Sequence, residues 1–461
     1  MSVENIERLR TVPSGAAVAI AAAGALAGVG FVNGVARLLL LCAGAVGTLA
    51  LGYLAMTRIA TFALVLLAVR SSLDITGMHV SGTPGGSSGV PATAVSLLLI
   101  FAVSLWVPAQ RRVGEALPAL SIAGIAVAAT ALLSTIGSIE KTATITEAAR
   151  VTSAIAMLVL LVGIVRTLDQ VRNTLRAVYL SAVVPFAVAA WQVASAGSTA
   201  FNDASRIVGT FSHPNAFGAY LAVLLVAGVA LVHGVKGVER RVLSLILIVG
   251  FGLLVLTFSR GSWIATALGL IVVAGVQHRP AVIALLIGVV AAAATVPAVW
   301  VRLSDLGETR SLSGGEGNSL VWRFDFWRET LQFADRNPAT GIGLDMAQFV
   351  MAEGNLPHND FVRMYVEAGW LGLMALLALL CVLVATAGRA MTVAVADPER
   401  AVGAGFSGSL AVILIVMVGG NVISTVVLLW YFFAIAACAN AVSRGLEPST
   451  AAVGPTLRSP I

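Results

Sequence analysis

The chain is a succession of apolar runs, each close to the length of a bilayer crossing, with most of the charged residues at their ends. The runs lie at about 14–32, 35–56, 58–70, 91–108, 117–136, 150–166, 175–196, 212–233, 242–258, 262–278 and 281–301, then at 367–388, 404–420 and 422–442. A crossing needs ~20 predominantly apolar residues. The pattern therefore predicts an all-α integral membrane protein with 12–14 transmembrane helices, fourteen being favoured. The third run is short and reads as re-entrant or as a continuation of its neighbour. Composition agrees: of 461 residues 58% are hydrophobic and 11% charged, against about 25% charged in soluble domains. The first run is too long for a cleavable signal and is followed at once by another, so it is expected to remain as a span.

One segment breaks the pattern. Residues 302–366 form a polar interruption of more than 60 residues, and connections of that length are either functional or disordered. Disorder is disfavoured by Trp322, Phe324, Phe326, Trp327 and Phe333, because disordered segments are poor in aromatics. Leu320, Phe324, Trp327 and Leu331 recur at helical spacing, with Ser319 as a candidate cap, Asn337-Pro338 as a stop and Arg323 beside the stripe. A second helix is expected from about Pro357, carrying His358, Val362 and Tyr365 on one face and running into the next span past Gly369.

The basic residues set an orientation. With the N-terminus cytoplasmic and all fourteen runs crossing, sixteen Lys and Arg fall inside and six outside, once the six in the long loop are set aside. Cytoplasmic loops carry the excess of Lys and Arg, so both termini are expected inside and the long loop outside. The organisation read from this is N-terminal transmembrane helices (1–301), an extracytoplasmic catalytic loop (302–366), C-terminal transmembrane helices (367–442) and a disordered cytoplasmic tail (443–461), in one integral domain. Ser81–Gly89 reads as a mobile connector. The charge of +6 does not point to nucleic acid, since the bases sit singly or in pairs between spans. Cys42, Cys381 and Cys438 lie in apolar runs with no metal spacing, and no Asp-X-Asp cluster for magnesium stands at an outer face.

No apolar run has an obvious carboxylate at its centre, which counts against an ion-coupled carrier. The informative polar groups stand at predicted outer ends instead. Arg206 precedes Gly209-Thr-Phe-Ser-His-Pro-Asn215, and Arg260 lies in the tight turn Thr257-Phe-Ser-Arg-Gly-Ser-Trp263. His358 heads a His-Asn-Asp triplet on the same expected side. Either arginine alone reads equally as an interfacial residue reaching the headgroups, and a lone histidine is more often structural than catalytic.

Taken in order, these pieces resemble the O-antigen ligase and O-antigen polymerase family of multi-span glycosyltransferases. The likeness covers roughly residues 200–385. It rests on Arg206 with the Gly209–Asn215 stretch and Gly218; Phe258-Ser-Arg-Gly261; Arg323 with Trp327, Pro338 and Gly341-Ile-Gly343; and His358-Asn359 followed by Glu367-Ala-Gly-Trp-Leu-Gly372. The resemblance implies a membrane-embedded glycosyltransferase fold and a polyprenyl (undecaprenyl) diphosphate-linked glycan as donor. It also implies a glycan or lipid acceptor hydroxyl, no cofactor or metal, and a place in the cytoplasmic (inner) membrane beside other polysaccharide-export proteins. Displacing a lipid diphosphate puts negative charge on the departing phosphate, and a planar, permanently charged guanidinium suits that charge. Arg206 and Arg260 are accordingly expected at the diphosphate, with Arg323 third. His358 is expected to be the base for the acceptor hydroxyl, with Asn359 orienting it or binding sugar and Asp360 as a weaker alternative base. His213 and Asn215, within the first motif, are placed in substrate binding. The competing readings are a transporter or flippase of lipid-linked glycan, a carrier of a small anion, and a non-catalytic member of a secretion assembly.

Overall fold

In lipid a backbone must satisfy its own N–H and C=O groups, and the apolar runs do so as helices. The computed structural model describes residues 47–73, 90–110, 117–196, 206–295, 319–351, 354 and 356–448. In chain order these form α1 (Gly47–Thr57), α2 (Ile59–Leu73), α3 (Val90–Gln110), α4 (Ala119–Leu133), α5 (Lys141–Ile164), α6 (Leu168–Leu180), α7 (Val183–Ala196) and α8 (Pro214–Leu231). There follow α9 (Gly237–Leu256), α10 (Arg260–Gln277), α11 (Pro280–Ala294), α12 (Ser319–Leu331), α13 (Asp360–Val393), α14 (Asp397–Gly419) and α15 (Val426–Ser443). Among the described residues there is no β-strand, only one isolated bridge between Thr167 and Glu447.

Nine segments among the described residues are long and apolar enough to cross a membrane, α6 and α7 counting as one. The protein is therefore an all-α integral membrane protein, with nine of the fourteen expected crossings meeting the requirement of length and hydropathy. Helices α1, α2 and the Pro280–Ala291 part of α11 are apolar but shorter. Helix α9 opens on Glu239, Arg240 and Arg241. The run at 14–32, the start of the run at 35–56, Cys42, the Ser81–Gly89 connector, Arg111, Arg112 and the tail from residue 449 lie outside the described residues.

The helix ends gather at two faces. At the near face Arg206 reaches Thr257 O after α9, Asp360 at the start of α13 binds the α14–α15 turn, and Thr144 in α5 bonds Leu344 in the long loop. At the far face Gln277 ends α10 against Ala230 of α8, and Arg166 after α5 pairs with Glu447 after α15. The centre is α8 and α15, almost wholly buried, around Phe217, Tyr220, Trp430, Tyr431 and Phe432. Close crossings use glycine, as expected where helix packing lacks a hydrophobic drive. A Cβ on Gly408 of α14 would meet Val226 of α8 at 2.5 Å and Val273 of α10 at 2.6 Å.

Helix α13 contains the feature that positions the long loop. Gly369 breaks it with φ 68°, freeing two carbonyls and two amides of the helical ladder. All four are satisfied by the segment 338–343: Ile342 N donates to Val366 O (3.0 Å), Gly343 N to Glu367 O (2.9 Å), Trp370 N to Pro338 O (2.8 Å) and Leu371 N to Ala339 O (3.3 Å). Backbones this close exclude side chains, so a Cβ on Gly369 would overlap the Ala339 carbonyl and one on Gly341 the Glu367 carbonyl. The Gly-Ile-Gly and Glu-Ala-Gly-Trp motifs are thus two halves of one joint.

On α12, Phe324 and Leu331 of the apolar stripe are exposed, while Phe326 and Thr330 are buried, Thr330 reaching Met351 Sδ in the loop. One expectation for the loop needs correction. The helix expected from Pro357 begins instead at Asp360, because His358 has a left-handed φ of 50° and Asn359 caps the helix by accepting from Phe361 N and Val362 N. Gly369→Ala should cost about 1–3 kcal/mol through strain at positive φ and overlap, lowering the unfolding temperature in detergent. Gly288→Ala, where no atom lies within 4 Å of the added carbon, should be neutral or mildly stabilising; equal behaviour of the two variants would refute the joint.

Candidate active site

Below the joint lies a buried ionic cluster. Arg363, fully buried on α13, donates from Nε to Glu367 (2.7 Å) and from Nη2 to Glu147 of α5 (3.3 Å), and it bonds Ser424 in the α14–α15 turn. Asp345 lies 3.7 Å from the same guanidinium. Glu367 also accepts from the backbone N–H of Asp345 (2.8 Å) and Ala347 (3.0 Å). A buried guanidinium is tolerable only with its hydrogen bonds made, and here the partners come from four parts of the chain: α13 itself, α5, the long loop at Asp345 and the α14–α15 turn. The cluster locks the 344–348 turn beneath the start of α13.

His358 is held above this cluster. Its left-handed backbone follows Pro357, whose carbonyl accepts from Trp327 Nε1 of α12 at 2.5 Å. Asp360, next along, is buried and accepts from Val422 N (2.8 Å) and Ile423 N (3.3 Å). That bond draws the α14–α15 turn in, and Asn421 arrives with its amide 3.2 Å from His358 Nδ1. An amide turned so that Oδ1 faces Nδ1 accepts its N–H, and gives a partner to an oxygen that in the other orientation is buried without one. In that arrangement Nε2 is the proton-accepting nitrogen of the ring. Arg323 of α12 donates to Gly419 O (3.0 Å) and so stands at the end of α14, two residues before Asn421.

The second group comes from α8 and the α9–α10 turn. Arg206 donates from Nε to Thr257 O (2.9 Å) and from Nη2 to Asn215 Oδ1 (2.6 Å). His213 caps α8, accepting from Asn215 N at 3.1 Å. Arg260 is the first residue of α10, three positions after Thr257, and half-buried. Ser262 beside it packs so tightly on α8 that a Cβ at Gly218 would sit 2.6 Å from its Oγ. The structure thus brings Arg206, Asn215, His213 and Arg260 to one corner of the near face, and Arg323 and His358 to the next. Asn359 and Asp360, expected at substrate, have their side-chain oxygens turned to backbone N–H groups instead.

Between these groups is a cavity of about 210 Å³. Its polar lining includes Glu147, Arg150, His213, Asp345, His358 and Asn421. Burial, then the Arg323 guanidinium and the His213 imidazole, push His358 down to about 4. Partial burial and Arg206 also hold His213 below its ordinary value. Burial and Glu147 push Asp345 up to about 7, against the pull of Arg363. The lining thus combines two imidazoles held below their ordinary value with the Glu147–Arg150 pair and Asp345, and Arg206 and Arg323 act on the imidazoles from outside it. Among the described residues no group of three or more His, Cys, Asp or Glu is placed to hold a metal ion.

Asn421, Glu147, Asp345 and Gln348 were not picked out from the sequence. Asn421 interrupts the two-glycine gap between the last two apolar runs, a signal that was visible, and Arg363 with Glu367 is an i,i+4 pair. Glu147 and Arg150 could be placed only once α5 is known to start at Lys141, before its apolar run.

Residues 243–377 match the family model described as O-antigen ligase. The match spans α9 to the middle of α13 and takes in Arg260, Arg323 and His358, while Arg206, His213, Asn215 and Asn421 lie outside it. No curated protein matches the chain.

The electrostatics of the site give a direct check. Of the five histidines, His358 should protonate near pH 4 in NMR of histidine-labelled protein, where an unperturbed imidazole titrates near about 6.5. Arg323→Ala removes a cation that disfavours the imidazolium, so it should move the His358 midpoint upward. A wild-type midpoint at the ordinary value would refute the cationic environment.

Proposed function

We propose, from the match of residues 243–377 to the O-antigen ligase family model, that the protein is a glycosyltransferase. It moves a glycan from a polyprenyl diphosphate carrier to an acceptor hydroxyl at the outer face of the cytoplasmic membrane. The observation that carries this reading is the near-face constellation itself: Arg323 acts on His358, Arg206 is fixed by Asn215 and acts on His213, and both imidazoles line a cavity shared with Glu147 and Asp345. The outward orientation is supported by the basic residues of the far face, among them Arg166, Arg172, Arg176, Lys236, Arg240, Arg241, Arg279, Arg389, Arg400 and Arg444.

The acceptor oxygen attacks the anomeric carbon as its proton passes to His358 Nε2. The bond from that carbon to the diphosphate oxygen breaks, and the electron pair leaves on the diphosphate. Arg206 and Arg260 meet the charge that grows there, with Arg323 beside them, and arginines fixed in advance are most effective because they need no reorganisation. The bonds from Arg206 to Thr257 and Asn215 hold its guanidinium in place. Asn421 is a positioning residue that keeps the His358 proton on Nδ1 and its lone pair outward. The anionic donor belongs with Arg206, Arg260 and Arg323, because Arg150 and Arg363 are already paired with Glu147 and Glu367. An uncharged, hydroxyl-rich acceptor belongs against Asp345 and Gln348.

The cationic site also tunes its base. A depressed His358 is neutral, and so able to take a proton, at all pH values above about 4. The bound diphosphate adds negative charge and raises the imidazole again, making it a stronger base only when the donor is in place. The acid limb of kcat/KM, which reports free enzyme, should therefore lie near pH 4, and that of kcat at higher pH. Coincident limbs near about 6.5 would contradict this.

The deciding experiment uses purified protein in detergent, without a membrane gradient, and a polyprenyl diphosphate-linked glycan. Transfer should proceed, as it would not for a carrier. His358→Ala should lower kcat by about 10²–10⁴-fold, the usual contribution of a general base, with membrane insertion intact. Arg260→Ala should abolish transfer, and Arg260→Lys should recover little of it, since lysine is a point charge and not a fork. Undiminished transfer by either alanine variant removes that residue from the mechanism.

A further inference from the structure

A second cavity, of about 590 Å³, lies at the opposite end of α8, between α8, α9 and α11. Its walls are Val229, Leu247, Phe251, Leu285 and Val289, with Ser244 among them. Along α11 it extends from Pro280 to Val289, nine residues or about 14 Å at 1.5 Å per residue. That is close to half the ~30 Å hydrocarbon thickness of a bilayer, so the groove is one leaflet deep. Ile248 and Leu285 at its rim are exposed on the protein surface, which opens it sideways to lipid.

The far-face end of this groove is cationic. His233, His278 and Arg279 line it, and His278 takes a left-handed φ of 53° where α10 turns back into α11. The side-chain charges acting on His233 are both positive, those of Arg279 and Arg240. Among the described residues neither arginine makes an ion pair with a carboxylate; the nearby Glu239 is engaged by Arg176. A leaflet-deep apolar slot ending in like charges is complementary to a molecule with an anionic head and acyl chains of leaflet length. Basic pockets between transmembrane helices hold phospholipid headgroups in this way.

We propose that the groove is a binding site for one anionic glycerophospholipid of the far-face leaflet, its phosphate at Arg279 and Arg240 and an acyl chain along Leu247, Phe251 and Val289. The site is independent of the near-face chemistry and stands whether or not the transferase reading holds.

The test is native mass spectrometry of the full chain released from nanodiscs of equal phosphatidylglycerol and phosphatidylcholine. At about 1 kcal/mol for each basic residue, two arginines correspond to about 30-fold preferential retention of one phosphatidylglycerol. Arg240→Gln with Arg279→Gln should reduce the preference to about threefold or less. Val289→Trp, which fills the slot and leaves the charges, should lose the retained lipid altogether. Thermal unfolding of each variant shows that the fold persists, and a second pair of fillers, Ser244→Phe and Leu285→Trp, replaces any variant that does not fold. The proposal fails if wild type holds both lipids equally, if the preference survives loss of both arginines, or if added polyprenyl phosphate displaces the phospholipid at equal concentration.

Discussion

The architecture of the near face depends on one buried cation. Arg363 has no contact with solvent, and its carboxylate and hydroxyl partners come from α5, α13, the long loop at Asp345 and the turn between α14 and α15. A charge in such a place is costly unless every partner is present, so the arginine is compatible with only one arrangement of those segments. The same arrangement brings Asp345, Gln348 and Asn421 to the lining of the cavity. The cluster is thus less a source of stability than a requirement for correct assembly, and the candidate site is assembled on top of it.

The fold and the chemistry use opposite electrostatic strategies. Below the joint, positive and negative groups neutralise one another at hydrogen-bond distance. Around His358 the neighbours that act on it are Arg323 and His213, like in sign to its own protonated form. Like charges gathered at one face destabilise an empty site and are relieved by an anion. His213 and His358 line the cavity, where a ligand can reach them, whereas Arg363 of the compensated cluster is fully buried.

Much of this was legible in the sequence because lipid imposes strong rules. Apolar length predicts helices, and the residues that break the pattern mark the polar surface. The motifs around Gly341 and Gly369 announced a place where backbones come close, though only the structure shows that they meet each other. What stayed hidden was pairing between distant segments. Nothing in the local pattern says that Asp360 will hold Val422, or that Asn421 will face His358. One helix start was also misjudged: α5 begins in a polar turn before its apolar run, so Glu147 looked like a loop residue. The left-handed backbone of His358 could not be foreseen, because its cause is the cap one residue later and the tertiary bond two residues later.

The size of the near-face cavity has a consequence for what the protein can measure. A space of about 210 Å³ is smaller than the usual 300–1,000 Å³ of a small-molecule cleft. On the proposed reaction it holds little beyond the two sugars being joined, and the remaining polymer trails into water while the isoprenoid tail stays among acyl chains. On that same proposal the chamber meets the linkage and not the residues that follow it, and control over polymer size belongs to something other than this pocket.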